Sequence, residues 1–392
     1  MFKKELLWID NIALIDIWSY KIKVAKCSFK KWEIEIISYA EKRQEQDIII
    51  NWEIRDISLL CENIKIALKK VDPQNKIKQI IINSVTSDIF LTSSKVVYER
   101  EKNIDKIKKE EIFRIVKEKE MECLEKGLKY IKSKTPYIKD DLKILLSNIN
   151  SILIDKKEVS DLFWKKWKTI NMSFTNIFIP NSKFEIVEIM EKLLNKEIIS
   201  IIPEEYSITK LFNQDKDIVV ISIWNLSTYV SIKKWVEVLW TTKINIWMND
   251  LFKKIKDKKL IPTEKIIMDL EKDFLEEKEF FLEALKDCII ASLQELVWWK
   301  ICPNNFFITW WWWKANFIKD FIINIDFLWN DIKMIKKADF IYPDFNLNKK
   351  DKEKIWIDNF GILSMIFVAY KMFYDEQTVI KDILKEVVNE IE

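Results

Sequence analysis

The residues available for chemistry are restricted by type before their spacing is considered. The 392-residue chain contains no histidine, and its five cysteines are scattered without paired spacing: Cys27, Cys61, Cys123, Cys288 and Cys302. Histidine-based catalysis and ordinary zinc sites are therefore excluded, and we expect reduced thiols, as in cytosolic proteins. Among the polar residues that remain, Asp16, Ser19 and Lys21 lie together where a strand-like run ends in a turn.

Two residue counts are abnormal. The chain has 2 glycines and 18 tryptophans, whereas average usage of about 7% would give roughly 27 glycines. The run Trp310–Trp313 separates a strand-like from a helix-like segment, and Trp32 and Trp235 each follow Lys-Lys at a hairpin turn. Glycine suits such turns, whereas indoles would crowd them. We therefore interpret most tryptophans as UGA codons that the native organism reads as glycine. The alternative is a truly Trp-rich protein with an aromatic binding surface.

The overall composition is that of a globular protein. Hydrophobic residues make up 49% and charged residues 32%, and the net charge of +3 gives no sign of nucleic-acid binding. No apolar run approaches the roughly 18 residues of a spanning helix, and no secretory signal is expected. A chain of this length predicts at least two domains, because single cores rarely exceed roughly 250–300 residues.

The elements that would position these residues occur twice. Residues 12–18, 22–28 and 33–39 are predicted strands, followed by a helix over 57–71 and a strand over 77–83. Residues 217–250 repeat the opening, since both copies carry a strand ending in Trp and a later Lys-Lys-Trp turn. The repeat indicates two like domains. Other predicted helices cover 104–132, 262–299, 355–373 and an amphipathic stretch, 378–391.

With glycine in place of tryptophan, two segments resemble a known signature. Residues 16–21 become D-I-G-S-Y-K and residues 309–313 become T-G-G-G-G, which resemble the nucleotide motifs of the actin/Hsp70 superfamily. Within it, the chain most resembles the FtsA family over about residues 5–373, for example in WMNDLFKKI (247–255) and DNFGILSMIFVAY (358–370). The resemblance implies an α/β, actin/Hsp70-like ATPase fold: two duplicated RNase H-like domains with an FtsA-type, SHS2-like inserted subdomain.

The resemblance also implies a division of the chain. The first actin-like domain would comprise residues 1–85 and 166–205, with a return over 346–373. The inserted subdomain would cover 86–165, the second actin-like domain 206–345, and the amphipathic C-terminal helix 374–392.

Functional residues carried over from the family would bind ATP and Mg²⁺. Asp16 would be a catalytic and metal-binding residue that orients the hydration shell of Mg²⁺. Asn249 and Asp250 would lie nearby as structural groups. The phosphate and adenosine contacts would be Trp18, Ser19, Lys21, Trp224, Ser227, Thr228, Thr309, Trp310, Trp311 and Trp312. One position departs from the family: Ser222 stands where a catalytic acid is usual, with Asn225 and Leu226 replacing glycines. We therefore expect at most a slow ATPase.

Three functions follow from the resemblance. The first is an FtsA-like cell-division protein that polymerises and links the FtsZ ring to the cytoplasmic face of the membrane at the septum. The second is a PilM-like scaffold of pilus or secretion assembly, which binds a short peptide of a membrane partner. A sugar or acid kinase ranks last. The predicted C-terminal helix has an apolar stripe from Val379 to Ile391 and an acidic polar face. Helices that lie on membranes usually have a basic polar face, so we prefer an indirect peripheral membrane contact to a direct one.

The recoding interpretation can be tested on the native protein. We expect peptide mass spectrometry to find glycine at positions 310–313, because four successive indoles would crowd a tight turn. Peptides that carry tryptophan at these positions would contradict it.

Overall fold

A computed structural model describes most of the chain. The described residues are 8–19, 21–30, 33–45, 48–50, 53–84, 86, 88–100, 108–155, 157–158, 168–212, 216–223, 228–234, 237–244, 275–297, 301–309, 316–343 and 359–374. The chain divides into two compact units. Unit 1 comprises 1–48, 56–203 and 365–392, and unit 2 comprises 49–55 and 204–364. No helix among the described residues is long and apolar enough to cross a membrane.

The structure contains the predicted strands and helices that fall on described residues, and it adds further strands and helices between residues 142 and 209. The strands are β1 (Trp8–Ile17), β2 (Lys21–Lys30), β3 (Glu33–Arg43), β4 (Ile49–Ile50), β5 (Glu53–Ile54), β6 (Gln79–Ile82), β7 (Phe90–Glu99), β8 (Leu142–Ile154), β9 (Lys157–Glu158), β10 (Thr169–Pro180), β11 (Glu197–Ile201), β12 (Ile218–Ile223), β13 (Thr228–Lys234), β14 (Glu237–Ile244), β15 (Asn305–Thr309) and β16 (Asp339–Phe340). The helices are α1 (Ile57–Val71), α2 (Lys109–Lys134), α3 (Asn181–Leu194), α4 (Glu204–Thr209), α5 (Leu275–Val297), α6 (Asn316–Ile323) and α7 (Phe360–Tyr374).

Each unit contains a five-stranded sheet of the same design. The strand order is β11-β6-β1-β2-β3 in unit 1 and β16-β15-β12-β13-β14 in unit 2. In both sheets the first three strands in chain order form antiparallel pairs, the fourth adds in parallel beside the first, and the fifth adds in parallel beside the fourth. The identical topology agrees with the internal repeat in the sequence.

The central strands are buried on both faces, which explains their nearly continuous apolar sequences. In β1 the side chains from Ile12 to Ile17 are all at most 1% exposed, and β12 is buried throughout. Helix α1 begins as its sequence indicates, because the Asp56 side chain accepts a hydrogen bond from the Leu59 backbone N–H at 2.8 Å.

The inserted segment of unit 1 forms a separate antiparallel sheet covered by α2. Its strand order is β7-β10-β8-β9. Apolar residues of α2, including Ile112, Ile115 and Val116, pack on Phe174 and neighbouring strand residues. One of the two glycines permits this close packing, since a Cβ at Gly127 would lie 2.7 Å from Thr92 Oγ1.

A buried acid interrupts this otherwise apolar contact. Glu120 of α2 is 0% exposed, and its Oε1 accepts hydrogen bonds from Ser147 Oγ of β8 at 2.6 Å and from Asn176 Nδ2 of β10 at 2.7 Å. Its Oε2 has no hydrogen-bond partner among the described residues. Burial raises the pKa of Glu120 to about 7, although the two hydrogen bonds act in the opposite direction.

The raised pKa predicts an unusual pH dependence of stability. The folded protein binds the Glu120 proton more tightly than the unfolded chain does, so the contribution of Glu120 to stability is greatest below pH 4.5, its ordinary pKa, and is lost as the pH rises to about 7. The loss should be about 3 kcal/mol in the free energy of unfolding. Glu120→Gln should remove this slope in urea titrations followed by circular dichroism. Glu118→Gln, at an exposed position of the same helix, should retain it; equal slopes in the two variants would contradict the assignment.

Candidate functional site

The first predicted phosphate turn is a tight β-hairpin in unit 1. The Trp18 N–H donates to the Lys21 carbonyl at 2.9 Å, and the turn therefore follows directly on the end of β1. Asp16, one residue before that end, is 0% exposed and is paired across the hairpin with Lys23 of β2. Ser19 lies half-buried in the turn. The structure thus brings Asp16, Trp18, Ser19 and Lys21 to one end of the sheet.

Asn83 fixes the end of β1 from the other side. It follows β6, the parallel neighbour of β1, and its Nδ2 donates to Asp16 Oδ1 at 2.8 Å. Its Oδ1 accepts from the Ile17 N–H at 2.9 Å. Since Asn83 is 1% exposed, these bonds are sheltered from water and hold the Asp16 carboxylate in a defined orientation.

Lys23 is the cation that faces Asp16. Its Nζ lies 3.8 Å from Asp16 Oδ2, and the lysine is only 6% exposed. The indole of Trp18 covers the pair, with Lys23 Nζ 4.9 Å from the ring centroid. Burial raises the pKa of Asp16 above its ordinary value, and Lys23 and Trp18 only partly offset this effect.

Lys21 has a different partner from the one that the resemblance implies. Its Nζ contacts Glu41 Oε2 of β3 at 2.6 Å. Burial alone would raise the pKa of Glu41, but hydrogen bonds from Lys21 and Tyr39 and the charges of Lys21 and Lys23 lower it below its ordinary value. Glu41 is also the strand partner of Lys23, so acids and lysines alternate across β1, β2 and β3.

These residues fit a magnesium–phosphate group. Mg²⁺ is commonly held by one or two carboxylates together with phosphate oxygens and water, and Asp16 Oδ2 is a buried acceptor without a hydrogen-bond partner among the described residues. Lys23 would supply positive charge for a phosphate. The indole of Trp18 occupies the space beside both groups, and a glycine at this position would leave that space open to a ligand.

The second hairpin lies in unit 2 and carries no acid in its strand. Ser222 is 2% exposed, and it pairs with Tyr229 of β13 and with Thr309 of β15. Thr228 and Thr309 are also buried. The remaining predicted site residues lie outside the described residues: Trp224, Ser227, Asn249, Asp250, Trp310, Trp311 and Trp312.

Sequence reasoning missed three members of the first site: Lys23, Glu41 and Asn83. The signal for Lys23 was present, because a lysine two residues after Lys21 shares its face of the strand and interrupts an apolar run. Glu41 and Asn83 gave no such signal. Their positions depend on strand register and on the parallel pairing of β1 with β6, which a single sequence does not specify.

The inserted sheet carries a second candidate site, a groove of 530 Å³ between α2 and β8. Its apolar lining residues are Met121, Leu124, Leu128, Leu142, Ile144 and Phe178. Glu125, Lys139, Asp140, Lys143 and Asn181 add polar groups. Strand β8 lies beside the groove and pairs with β10 along one of its edges. Along its other edge, β9 pairs with only two residues of β8, Leu153 and Ile154. Within the described part of the chain, no strand pairs with this edge from Leu142 to Ser147, which we call the open edge of β8.

Comparison with known proteins identifies the fold. No protein-family model and no curated protein matches the sequence. Among solved structures, the PilM–PilN complex of type IV pilus biogenesis matches with a TM-score of 0.59 at 9% identity, covering 92% of this chain and 98% of that one. The ethanolamine utilization protein EutJ of Carboxydothermus hydrogenoformans matches with a TM-score of 0.42 at 9% identity, covering 90% of this chain and 88% of that one. The likeness to the PilM–PilN structure, together with the two duplicated sheets, shows that the chain has an actin-like ATPase fold.

Proposed function

We propose that this protein is a nucleotide-binding scaffold of PilM type, which binds a short peptide of a membrane-associated partner. The observation that carries the proposal is the groove beside the open edge of β8. The likeness to a PilM–PilN complex fits this function. The sequence alone favours the FtsA-like interpretation, whereas the groove favours the PilM-like one.

The groove has the features of a site for strand addition. An extended peptide would pair its backbone N–H and C=O groups with those of the open edge of β8, from Leu142 to Ser147. Alternate side chains of such a peptide would point toward the apolar residues Leu124, Leu128 and Phe178. The apolar lining therefore favours a peptide with hydrophobic residues at every second position.

Nucleotide would act mainly as a structural ligand. Asp16 and Lys23 offer a carboxylate for Mg²⁺ and an ammonium for phosphate, whereas β12 carries Ser222 in place of an acid. ATP and Mg²⁺ would therefore stabilise the folded protein by binding it, with hydrolysis slow or absent.

An FtsA-like role is the second candidate. It is favoured by the resemblance over about residues 5–373. In that role the protein would self-associate into filaments and bind FtsZ at the inner face of the cell membrane, directly or through a partner. The apolar stripe of the C-terminal helix, which would contact the membrane in that role, lies outside the described residues.

The nucleotide site can be tested in protein made with glycine at the tryptophan positions. Lys23→Met should weaken ATP binding at least about tenfold in calorimetry, because the variant removes the charge that faces Asp16. Lys21→Ala should weaken it less, since the Lys21 ammonium is held by Glu41. Protein that carries Trp310–Trp313 should not bind. Unchanged affinity in Lys23→Met, with normal thermal unfolding, would remove Lys23 from the site.

The groove can be tested with synthetic peptides from the cytoplasmic segments of membrane proteins encoded beside this gene. Leu128→Glu should weaken peptide binding about tenfold or more, because it places a charge in the apolar lining. Ile189→Glu is the matched control, since Ile189 is an exposed apolar residue of α3 away from the groove. Fluorescence anisotropy measures both affinities.

The same material separates the two candidate functions. Binding of a peptide that Leu128→Glu abolishes supports the scaffold. Failure of every such peptide, together with co-sedimentation of FtsZ from the same genome, would instead support the division role.

A further inference from the structure

Gln44 is a buried glutamine that reaches the first phosphate hairpin from the end of β3. It follows Arg43, the last residue of β3, and Arg43 is paired with Lys21 at the start of β2. Gln44 is 7% exposed, and its Nε2 donates a hydrogen bond to the Trp18 carbonyl. Because a carbonyl oxygen only accepts hydrogen bonds, the amide nitrogen of Gln44, and not its oxygen, must face Trp18.

This hydrogen bond sets the direction of the next N–H group in the turn. The Trp18 carbonyl and the Ser19 N–H belong to one planar trans peptide group, in which they point in opposite directions. Since the carbonyl is directed at Gln44, the Ser19 N–H is directed away from Gln44.

The Ser19 N–H is also the one that the turn leaves for a ligand. The N–H of Ile17 is bonded to Asn83 Oδ1, and the N–H of Trp18 is bonded to the Lys21 carbonyl. Among the described residues, none accepts a hydrogen bond from the Ser19 N–H. Turns that direct backbone N–H groups outward in this way bind anionic oxygens.

The position of Gln44 is itself secured by its neighbour in the chain. Glu45 Oε2 accepts a hydrogen bond at 2.7 Å from Nδ2 of Asn63, a residue of α1 that is 1% exposed. Helix α1 therefore holds the segment that carries Gln44. A glycine at position 18 would increase the need for this support, because glycine leaves the adjoining peptide groups freer to turn.

We infer that Gln44 is a positioning residue for phosphate binding, which orients the peptide group between positions 18 and 19 so that the Ser19 N–H donates to a phosphate oxygen of the nucleotide. The inference rests on the proposed nucleotide binding, and it uses residues of unit 1 alone. Sequence inspection does not single out Gln44, because only the register of β2 with β3 brings it beside the turn.

The experiment compares the parent protein with Gln44→Met, both with glycine at the tryptophan positions. Gln44→Met keeps the length of the side chain and removes the donor, so calorimetry should show ATP affinity about tenfold lower. Selective ¹⁵N-serine labelling follows the Ser19 amide by NMR, and Ser19→Ala assigns its signal. At saturating ATP the Ser19 amide proton should shift downfield in the parent and not in Gln44→Met.

The NMR readout distinguishes positioning from a purely structural role. Loss of a structural contact would lower the temperature of thermal unfolding but leave the Ser19 shift intact at saturating ATP. Gln44→Asn is the second variant, since it keeps an amide at the buried position but shortens its reach, and it should reproduce both losses.

Gln294→Met is the matched control. Gln294 Nε2 also donates to a backbone carbonyl, that of Asn330 at 2.9 Å, but it lies in unit 2. This variant should retain the ATP affinity and the Ser19 shift of the parent.

The outcomes separate this inference from the proposed function. If the parent protein binds no ATP, nucleotide binding and the role of Gln44 both fail. If the parent binds ATP without a shift of the Ser19 amide, or if Gln44→Met and Gln44→Asn retain that shift and the parent affinity, the role of Gln44 alone is wrong.

Discussion

The buried charge pair between Asp16 and Lys23 constrains the whole polar end of the first sheet. Removing both charges from water costs several kcal/mol for each ion, and their attraction offsets this only when further hydrogen bonds are present. Asn83 provides them on the side of β6, where it binds Asp16 and the backbone of Ile17. The adjacent strands β6, β1 and β2 are therefore held in one register at the point where the hairpin turns.

The second sheet has the same backbone design with different chemistry. Its equivalent row contains Ser222, Tyr229 and Thr309, with no acid and no lysine, and the neighbouring carboxylate belongs to Glu204 of α4, which accepts a hydrogen bond from Thr309. A buried acid in β12 would need a partner such as Lys23, and Tyr229 stands at that position. Glu204 of α4 instead accepts a hydrogen bond from Thr309 without an acid in this row of the sheet. The two hairpins are thus equivalent in topology, and the pair of Asp16 with Lys23 in the first corresponds to Ser222 with Tyr229 in the second.

Most of the fold could be predicted from the sequence, whereas only part of the candidate site could. Helix α1 was predicted with the bounds that the structure shows, Ile57–Val71, because its apolar periodicity is regular. The duplication was also evident from the repeated strands and turns. The resemblance implies Lys21 as the phosphate cation, because it matches residues by their position in the sequence. In the structure, however, the Lys21 ammonium contacts Glu41, and the register of β1 with β2 brings Lys23 opposite Asp16. The groove and the open edge of β8 depend on tertiary pairing and had no local signal.

The described tryptophans refine the argument for glycine. The residues with positive φ among the described non-glycine positions are Asn11, Asn75, Asp155, Asn195 and Asp331, and none of them is a tryptophan. The case for glycine at position 18 therefore rests on space, because the indole there covers Lys23 and Asp16. At Trp329 the case rests on solvation, since this side chain is 86% exposed in a turn and glycine would remove that apolar surface. Trp8 and Trp240 lie within strands, where glycine would weaken the strand unless a close approach of the backbone required it. A single recoding rule would thus have different structural consequences at each position, and at position 18 it would open space beside Asp16 and Lys23 in the proposed nucleotide site.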